Sequence, residues 1–173
     1  MALKLRIIMS SGVAVDAACN EMWKVFHGAT VKTRRVITFR LNDTFDAIIP
    51  ESYEWQLPLT HINDIDGVEE TKETVAKLKD LIVREINDEK TIQEPRWIIM
   101  YLDYNMAEDK RLTGKEIMLK WCPDGAADKS KITFASSSKG LTDALDGFKA
   151  LVVQADKLAE IDDLLPRFRK GLL

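Results

Sequence analysis

Cysteine and histidine are both scarce in this chain, which has two of each among its 173 residues. Cys19 and Cys122 are too few for a disulfide scaffold, so we expect a reducing compartment. His27 and His61 lie far apart in sequence, on no spacing that is typical of metal ligands, and are interpreted as ordinary surface or half-buried residues. We therefore expect neither a metal site nor a cofactor.

Neither sign of charge dominates the chain, which carries 25 basic and 28 acidic residues and a formal net charge of -3. This balance argues against a general nucleic-acid binder, because affinity for phosphates favours a net basic domain. Long apolar runs are also missing. None approaches the roughly 20 residues of a membrane-spanning helix, so we expect no integral membrane association.

Internal repeats, Gly/Ser linkers and low-complexity tracts are absent too, and the length suits one domain with a sizeable core. We expect that domain over residues 10–173, preceded by an N-terminal extension of residues 1–9. The opening MALKLRIIMSSG is too short for a convincing signal peptide. Met9 is a second candidate start.

Apolar periodicity predicts the secondary structure of the N-terminal half. One helical stripe, for which Asp16 is a suitable N-cap, consists of Val15, Ala18, Cys19, Met22 and Phe26. Alternation over residues 35–41, a following Asn-Asp turn signal and the apolar residues 45–49 predict a β-hairpin. Beyond it we predict an edge strand over residues 53–59 and an amphipathic helix over residues 75–86.

In the C-terminal half, two apolar segments predict strands over residues 97–102 and 117–121, the first of them covered on both faces. A polar loop, residues 107–114, separates them. Residues 151–153 predict another short strand, and a last helix over residues 158–168 is interrupted by a proline. Strands with helices before, between and after them indicate an α/β (α+β) fold, a sheet with helices on both faces.

One stretch, residues 120–141, has the sequence KWCPDGAADKSKITFASSSKGL and combines lysines, hydroxyl groups and apolar residues. Its Ile-Thr-Phe portion is strand-like, whereas the apolar residues from Leu141 to Phe148 have helical spacing. The stretch as a whole resembles the signature of the actin-depolymerising factor (ADF)/cofilin family. In that signature Trp-x-Pro-Asp/Glu ends a strand, and an Ala-rich turn, a basic-x-Lys pair, an aromatic residue, Ala-Ser-Ser-Lys and a leucine follow.

Three other segments match this family in the same order: residues 10–15 its opening Ser-Gly-Val-x-Val, residues 151–155 its late strand and residues 162–171 its last helix. The resemblance implies a single ADF-homology domain, with a central mixed sheet between helices. It also implies that residues 126–145 form one long, kinked helix. The implied function is non-enzymatic: binding of actin monomers and filaments, with promotion of filament depolymerisation, severing and turnover.

On such a helix, Lys129 and Ile132 lie three residues apart on one side, and Lys131 flanks them. By position, the resemblance assigns both lysines to the family's paired basic sites and Ile132 to the apolar residue that enters a cleft of actin. An apolar side chain ringed by ammonium groups suits a hydrophobic cleft with an acidic rim. The alternative is that Ile132 belongs to the core and the lysines are merely solvated. The remaining residues of the implied monomer site are Ser11, Gly12, Val13 and Ser136.

Further roles are implied by the resemblance. Ser11 occupies the family's regulatory phosphorylation position, where a phosphate would add nearly two negative charges. Lys115, Arg167 and Lys170 match basic positions of the filament contact, although surface cations often serve only solubility. The implied partners are actin and phosphoinositides. The implied location is the actin cytoskeleton of the cytoplasm, with the nucleus as a second compartment, and we expect a monomer.

The chain departs from the family pattern in two regions. Ser138 stands where the family has a lysine, and Thr142 and Asp143 replace two cations, so the phosphoinositide patch is weakened. At the filament contact, Thr113 stands where a second cation is expected, and Pro166 predicts a kink or restart of the last helix. We therefore expect weak severing.

Two alternatives stay open at this point. One is an actin-binding module that only sequesters monomers and does not sever filaments. The other is a small cysteine-dependent enzyme that uses Cys122, although no local base or Gly-rich phosphate loop accompanies this residue.

Overall fold

Seven strands form one mixed sheet in the computed structural model, which describes residues 6–8, 12–28, 36–51, 94–105, 108 and 112–170. In chain order the strands are β1 Arg6–Ile8, β2 Ala14–Asp16, β3 Val36–Leu41, β4 Ala47–Glu51, β5 Arg96–Asn105, β6 Leu112–Trp121 and β7 Leu151–Ala155. Their spatial order is β1-β2-β4-β3-β5-β6-β7. Neighbouring strands are antiparallel except for β2–β4 and β6–β7, which are parallel.

Three helices accompany the sheet within the described residues: α1 Ala17–Gly28, α2 Asp128–Ala144 and α3 Leu158–Arg169. The expected N-cap of α1 is confirmed, because Asp16 Oδ1 accepts a hydrogen bond from Ala18 N at 3.0 Å. The assignment of Val15 to this helix is wrong. Val15 lies in β2 and pairs with Ile48, because the strand passes into α1 without an intervening loop.

One face of the sheet lies under α1 and α2. The register places Phe39 opposite Trp97, and Ile37 in a row with Ile99 and Met118. Alternate residues of a strand share a face, so these side chains form one apolar surface. The helices bury six side chains against it: Cys19, Trp23 and Phe26 from α1, and Phe134, Leu141 and Ala144 from α2.

Trp97 is fully buried at the centre of this face. Its ring stacks on the Phe134 ring, with the two centroids 4.2 Å apart. Its Nε1 donates a hydrogen bond to Ser138 Oγ at 3.0 Å. Both partners belong to α2, so Trp97 holds this helix over the middle of the sheet.

The opposite face of the sheet is buried as well. Thr38, Ile98, Leu119 and Val153 form a row across four strands, and all four are buried. The helix α3 packs against β7, and Ile161 and Leu164 are buried among those of its side chains that the structure describes. Helices therefore cover both faces of a mixed sheet, which confirms the predicted fold class.

Most predicted strands are confirmed, with changes at their ends. β3 and β4 form the expected hairpin, β5 includes residues 97–102, and β7 extends the prediction by two residues. The predicted loop at residues 107–114 is wrong at its C-terminal end, because residues 112–114 pair with β5 as the start of β6. The strand at residues 53–59 and the helix at residues 75–86 lie outside the described residues.

The predicted restart of the last helix at Pro166 is wrong, whereas the predicted kink stays a prediction. The helix α3 continues to Arg169, and Lys170 N donates a hydrogen bond to Pro166 O at 3.2 Å. Proline in a helix interior removes one backbone donor and crowds the carbonyl four residues earlier, which disfavours the helix without always ending it. The bond that follows Pro166 is kept, so the last turn stays helical.

The strand β1 lies within the predicted extension. Arg6–Ile8 pair antiparallel with Ala14–Asp16 and place β1 at the edge of the sheet. The sheet therefore continues into residues 1–9. The boundary between the extension and the domain stays a prediction.

Two neighbouring serines of α2 give a matched pair of stability predictions. Ser138 Oγ accepts the Trp97 bond and donates to Phe134 O at 2.8 Å, whereas Ser137 Oγ is buried with no hydrogen-bond partner among the described residues. Ser138→Ala leaves the buried indole N–H unpaired and should lower the free energy of unfolding by about 1–3 kcal/mol. Ser137→Ala should leave that free energy unchanged or raise it slightly. Urea denaturation followed by tryptophan fluorescence measures both, and equal losses would contradict the role given to the Trp97–Ser138 bond.

Candidate functional site

The helix α2 begins two residues later than predicted and ends one residue earlier. A tight turn precedes it, in which Ala126 N donates to Pro123 O at 2.9 Å. The first helical bond runs from Lys131 N to Ala127 O at 3.0 Å. One long helix through residues 132–134 is therefore confirmed and the strand interpretation is wrong, while the kink stays a prediction.

One side of α2 faces solvent along the length of the helix. Its exposed residues are Asp128, Lys129, Ile132, Ala135, Ser136, Lys139 and Asp143. Their spacing of mostly three and four positions is that of one helical face. Ile132 is 69% exposed, so the alternative that placed it in the core is wrong.

Lys129 and Lys131 flank Ile132 on α2, and the ammonium group of each has a defined contact. Lys129 Nζ lies 5.2 Å from the centroid of the Phe45 ring in the turn between β3 and β4. Lys131 Nζ donates a hydrogen bond to Asp124 O at 2.6 Å. With about 100° between successive residues, Lys129 lies about 60° to one side of Ile132 and Lys131 about 100° to the other. An apolar side chain between two cations is therefore present on the surface.

Five residues predicted for the monomer site lie towards one end of the sheet, called here the Lys129 end: Gly12, Val13, Lys129, Lys131 and Ile132. Ser136 lies halfway along α2. At the Lys129 end β6 finishes at Trp121 and α2 begins. The register makes β2 antiparallel to β6, so the start of β2 and the β3–β4 turn lie at the same end. Gly12, just before β2, is exposed and has φ 76°, which glycine adopts without strain. Val13 is 4% exposed and anchors this segment in the core, and Ser11 lies outside the described residues.

The residues predicted for the filament site lie towards the opposite end, called the Lys115 end. Lys115 is exposed on β6, six residues before Trp121, which is about 20 Å along a strand. Arg167 and Lys170 are exposed at the end of α3. A two-residue connection joins β7 to α3, so the helix turns back along β7 and carries both residues towards the Lys115 end. The predicted site residues thus form two separate groups.

The two cysteines lack the environment of a catalytic thiol. Burial, reinforced by the Asp16 carboxylate, raises the pKa of Cys19 to about 12. Burial also raises the pKa of Cys122, whereas a cysteine nucleophile requires a lowered pKa. His27 stacks on Trp23, and its Nδ1 lies 2.9 Å from a carboxylate oxygen of Glu116. In the part of the chain that the structure describes, no three His, Cys, Asp or Glu side chains are grouped to hold a metal ion.

Phe45 is the residue of this surface that the sequence interpretation missed. The apolar pattern assigns it to the second strand of the hairpin, but β4 starts at Ala47 and Phe45 lies in the turn. The signal that could have found it is one aromatic residue within the polar turn Asn-Asp-Thr-Phe-Asp. Its contact with Lys129 joins segments that are distant in sequence, and the spacing of neighbouring residues cannot predict such a contact.

Comparison with known proteins gives the same family as the signature in α2. A family model described as cofilin/tropomyosin-type actin-binding protein matches residues 12–165. This chain belongs to the ADF/cofilin family. Actin-depolymerizing factor 2, isoform c, of Caenorhabditis elegans is 27% identical to this ADF/cofilin chain over 156 residues, which cover 90% of this chain and 91% of that protein.

Solved structures of ADF/cofilin proteins share the fold. The ADF-like UNC-60A protein of Caenorhabditis elegans matches with a TM-score of 0.70 at 23% identity, covering 92% of this chain and 96% of that one. Actin depolymerization factor 2 of Plasmodium berghei matches with a TM-score of 0.66 at 20% identity, covering 94% and 99%. At these identities the likeness concerns the fold alone.

Membership of the ADF/cofilin family decides between the classes of function. The family consists of actin-binding proteins that are not enzymes, so the cysteine-dependent enzyme is wrong. Among the helices described for this ADF/cofilin chain, none has the length and apolar character needed to cross a membrane.

Replacing Ile132 with alanine tests its surface position in this ADF/cofilin chain. Because the side chain is largely exposed, Ile132→Ala should change the free energy of unfolding by less than about 0.5 kcal/mol. Phe134→Ala, two positions along the same helix, removes the ring that stacks on Trp97 and should cost about 3–5 kcal/mol. Guanidinium chloride denaturation monitored by circular dichroism compares the two. If Ile132→Ala lowers the free energy of unfolding by more than about 1 kcal/mol, the Ile132 side chain is buried in the core and the surface assignment is wrong.

Proposed function

We propose that this ADF/cofilin-family protein binds actin monomers and filaments and promotes filament depolymerisation, with weak severing. The observation that carries the proposal is the exposed Ile132, which lies between Lys129 and Lys131 on α2. The family match supports actin as the partner.

The surface around Ile132 fits a cleft with an apolar floor and an acidic rim. Full burial of an isoleucine side chain contributes about 1.5–3 kcal/mol, and most of this side chain is exposed in the free protein. Lys129 and Lys131 can meet carboxylates on the two sides of such a cleft. Gly12 lies at the same end of the sheet and Ser136 continues the exposed side of α2, so both can extend the monomer surface.

Removing both flanking cations should weaken monomer binding strongly. For Lys129→Ala combined with Lys131→Ala, we expect a loss on the order of 2 kcal/mol or more, the threshold that defines an interface hot spot. The fold should persist, because neither side chain is buried. Titration of fluorescently labelled monomeric actin measures the dissociation constant.

A matched control removes two other exposed lysines and produces the same change in net charge. Lys24→Ala combined with Lys149→Ala alters α1 and the segment before β7, near the C-terminal end of α2 and at the opposite end of that helix from Lys129. This variant should bind monomers almost as the unmodified protein does. An unchanged dissociation constant in the Lys129/Lys131 variant, or an equal loss in the control, would refute the monomer surface.

Filament binding needs a second surface, which we place at the Lys115 end. Lys115, Arg167 and Lys170 are exposed there, and the unbroken α3 keeps the last two close together on one helical turn. A restart of α3 at Pro166 is therefore no reason for weak severing. The expectation of weak severing rests on Thr113, which stands where the family has a second cation.

Restoring that cation should increase severing. Thr113→Lys should raise the severing rate several-fold and leave monomer binding unchanged, because the monomer surface is at the other end of the sheet. Thr113→Gln is the matched control, with similar length and no charge. Imaging of labelled filaments, beside co-sedimentation with filamentous actin, measures severing and binding separately. The weak-severing proposal fails if the unmodified protein severs vigorously near its monomer dissociation constant, or if both variants sever equally.

The alternative, a module that only sequesters monomers, is favoured by the same missing cation at position 113. Co-sedimentation separates the two functions, because a pure sequestering module stays in the supernatant. We further propose a monomeric protein of the cytoplasmic actin cytoskeleton, with Ser11 as the regulatory phosphorylation position. Phosphoinositide binding should be weak, since Lys139 pairs with Asp143 and Ser138 is buried.

A further inference from the structure

Phe45 adopts a backbone conformation that is unusual for an aromatic residue. Its φ is 60°, in the left-handed region that glycine and asparagine occupy most readily. Among the described residues it is the one non-glycine position with a positive φ. Such strain persists only where the surroundings fix it, and it often marks a functional position.

The β3–β4 turn fixes this conformation through Asn42. Phe45 N donates to Asn42 O at 3.0 Å, and Asn42 Oδ1 accepts from Asp46 N at 3.0 Å and Ala47 N at 3.1 Å. Asp46 Oδ1 in turn accepts from Asn42 Nδ2 at 2.6 Å and from Thr44 Oγ1 at 2.8 Å. The turn thus holds the Phe45 backbone without help from the ring.

The ring of Phe45 reaches α2. It is half-buried against the core, and Lys129 Nζ lies 5.2 Å from its centroid, within the range of a cation–π contact. Phe45 and Ser130 line a common depression of about 160 Å³ between the turn and α2. In the described part of the chain, no carboxylate pairs with Lys129, so the ring is the contact shown for its ammonium group.

We propose that Phe45 is a positioning residue of the monomer surface, whose ring holds the Lys129 ammonium group at the edge of the exposed side of α2, next to the β3–β4 turn. This rests on the function proposed above for Lys129. A free lysine side chain samples many rotamers, and binding has to restrict them. The aromatic face restricts Lys129 to one side of Ile132 and leaves its N–H donors able to meet a carboxylate.

An NMR measurement on the free protein tests the ring contact without actin. The ε-CH₂ resonance of Lys129, assigned by its loss in Lys129→Ala, should be shifted upfield by the ring. Phe45→Leu should move it to the position of other exposed lysines, whereas Phe45→Tyr should keep it shifted. Phe45→Gly is a second variant without a ring that adopts φ 60° freely, should leucine disturb the turn. A resonance that does not move in either variant would overturn the contact.

A double-mutant cycle tests the consequence for binding. Phe45→Leu and Phe45→Gly should weaken monomer binding about two- to fivefold, the range of an exposed cation–π contact, and Phe45→Tyr should bind as the unmodified protein does. In the Lys129→Ala background, Phe45→Leu should have no further effect. An equal loss in both backgrounds, or failure of tyrosine to restore binding, would show that Phe45 acts only on the fold.

The outcomes separate this proposal from the function on which it rests. If Lys129→Ala binds monomers as well as the unmodified protein, the proposed monomer surface fails and Phe45 has no positioning role in binding. If Lys129→Ala weakens binding but both ringless variants do not, only the positioning role fails.

Discussion

Trp97 lies at the middle of the sheet, with β3 and β6 on its two sides and α2 against its ring, and the geometry of the exposed surface depends on these contacts. The stack on Phe134 and the bond to Ser138 fix both the position and the rotation of the helix. Rotation matters most, because the two buried partners determine which residues of α2 point away from the sheet. Because Phe134 and Ser138 face the sheet, Ile132 lies on the opposite side of the helix and is exposed.

On the opposite face of the sheet, a partly buried ion cluster joins three strands near the Lys129 end. Arg96 is 2% exposed, and its Nε lies 3.0 Å from both carboxylate oxygens of Glu51. Arg40 Nε lies 3.5 Å from an oxygen of the same carboxylate, and Arg40 Nη1 lies 3.0 Å from Asp43 Oδ1. A buried charge is tolerated when it is paired and hydrogen-bonded, and here the pairing joins β3, β4 and β5. Through Asp43 the cluster also reaches the turn that carries Phe45.

Periodicity in the sequence predicted helices and strands well where one face is apolar and a polar loop separates the element from the next one. It failed at Val15, because the strand passes into the helix without a loop and this buried strand residue happens to fit the apolar spacing of the helix. The helix α2 was ambiguous for another reason: Ser130, Ser137 and Ser138 are buried, so its inner side does not look apolar. The family signature, not the periodicity, predicted one helix there.

The candidate site was predictable to the extent that it lies on one helix. The spacing of Lys129, Lys131 and Ile132 indicates a common surface, and the structure adds how each cation is held. Those contacts, to Phe45 and to the carbonyl of Asp124, come from turns whose positions depend on the sheet register. A single sequence does not report such a register, and neither could it show that α3 continues through Pro166.

The connection between β6 and β7 has a consequence for association. These strands are parallel neighbours, and α2 is the crossover that joins them, so both of its ends are tied to the sheet. A helix held in this way is already ordered in the free protein. Binding a partner therefore carries no entropic cost for ordering α2. A partner therefore meets α2 as a rigid surface, in contrast to a segment that folds when it binds.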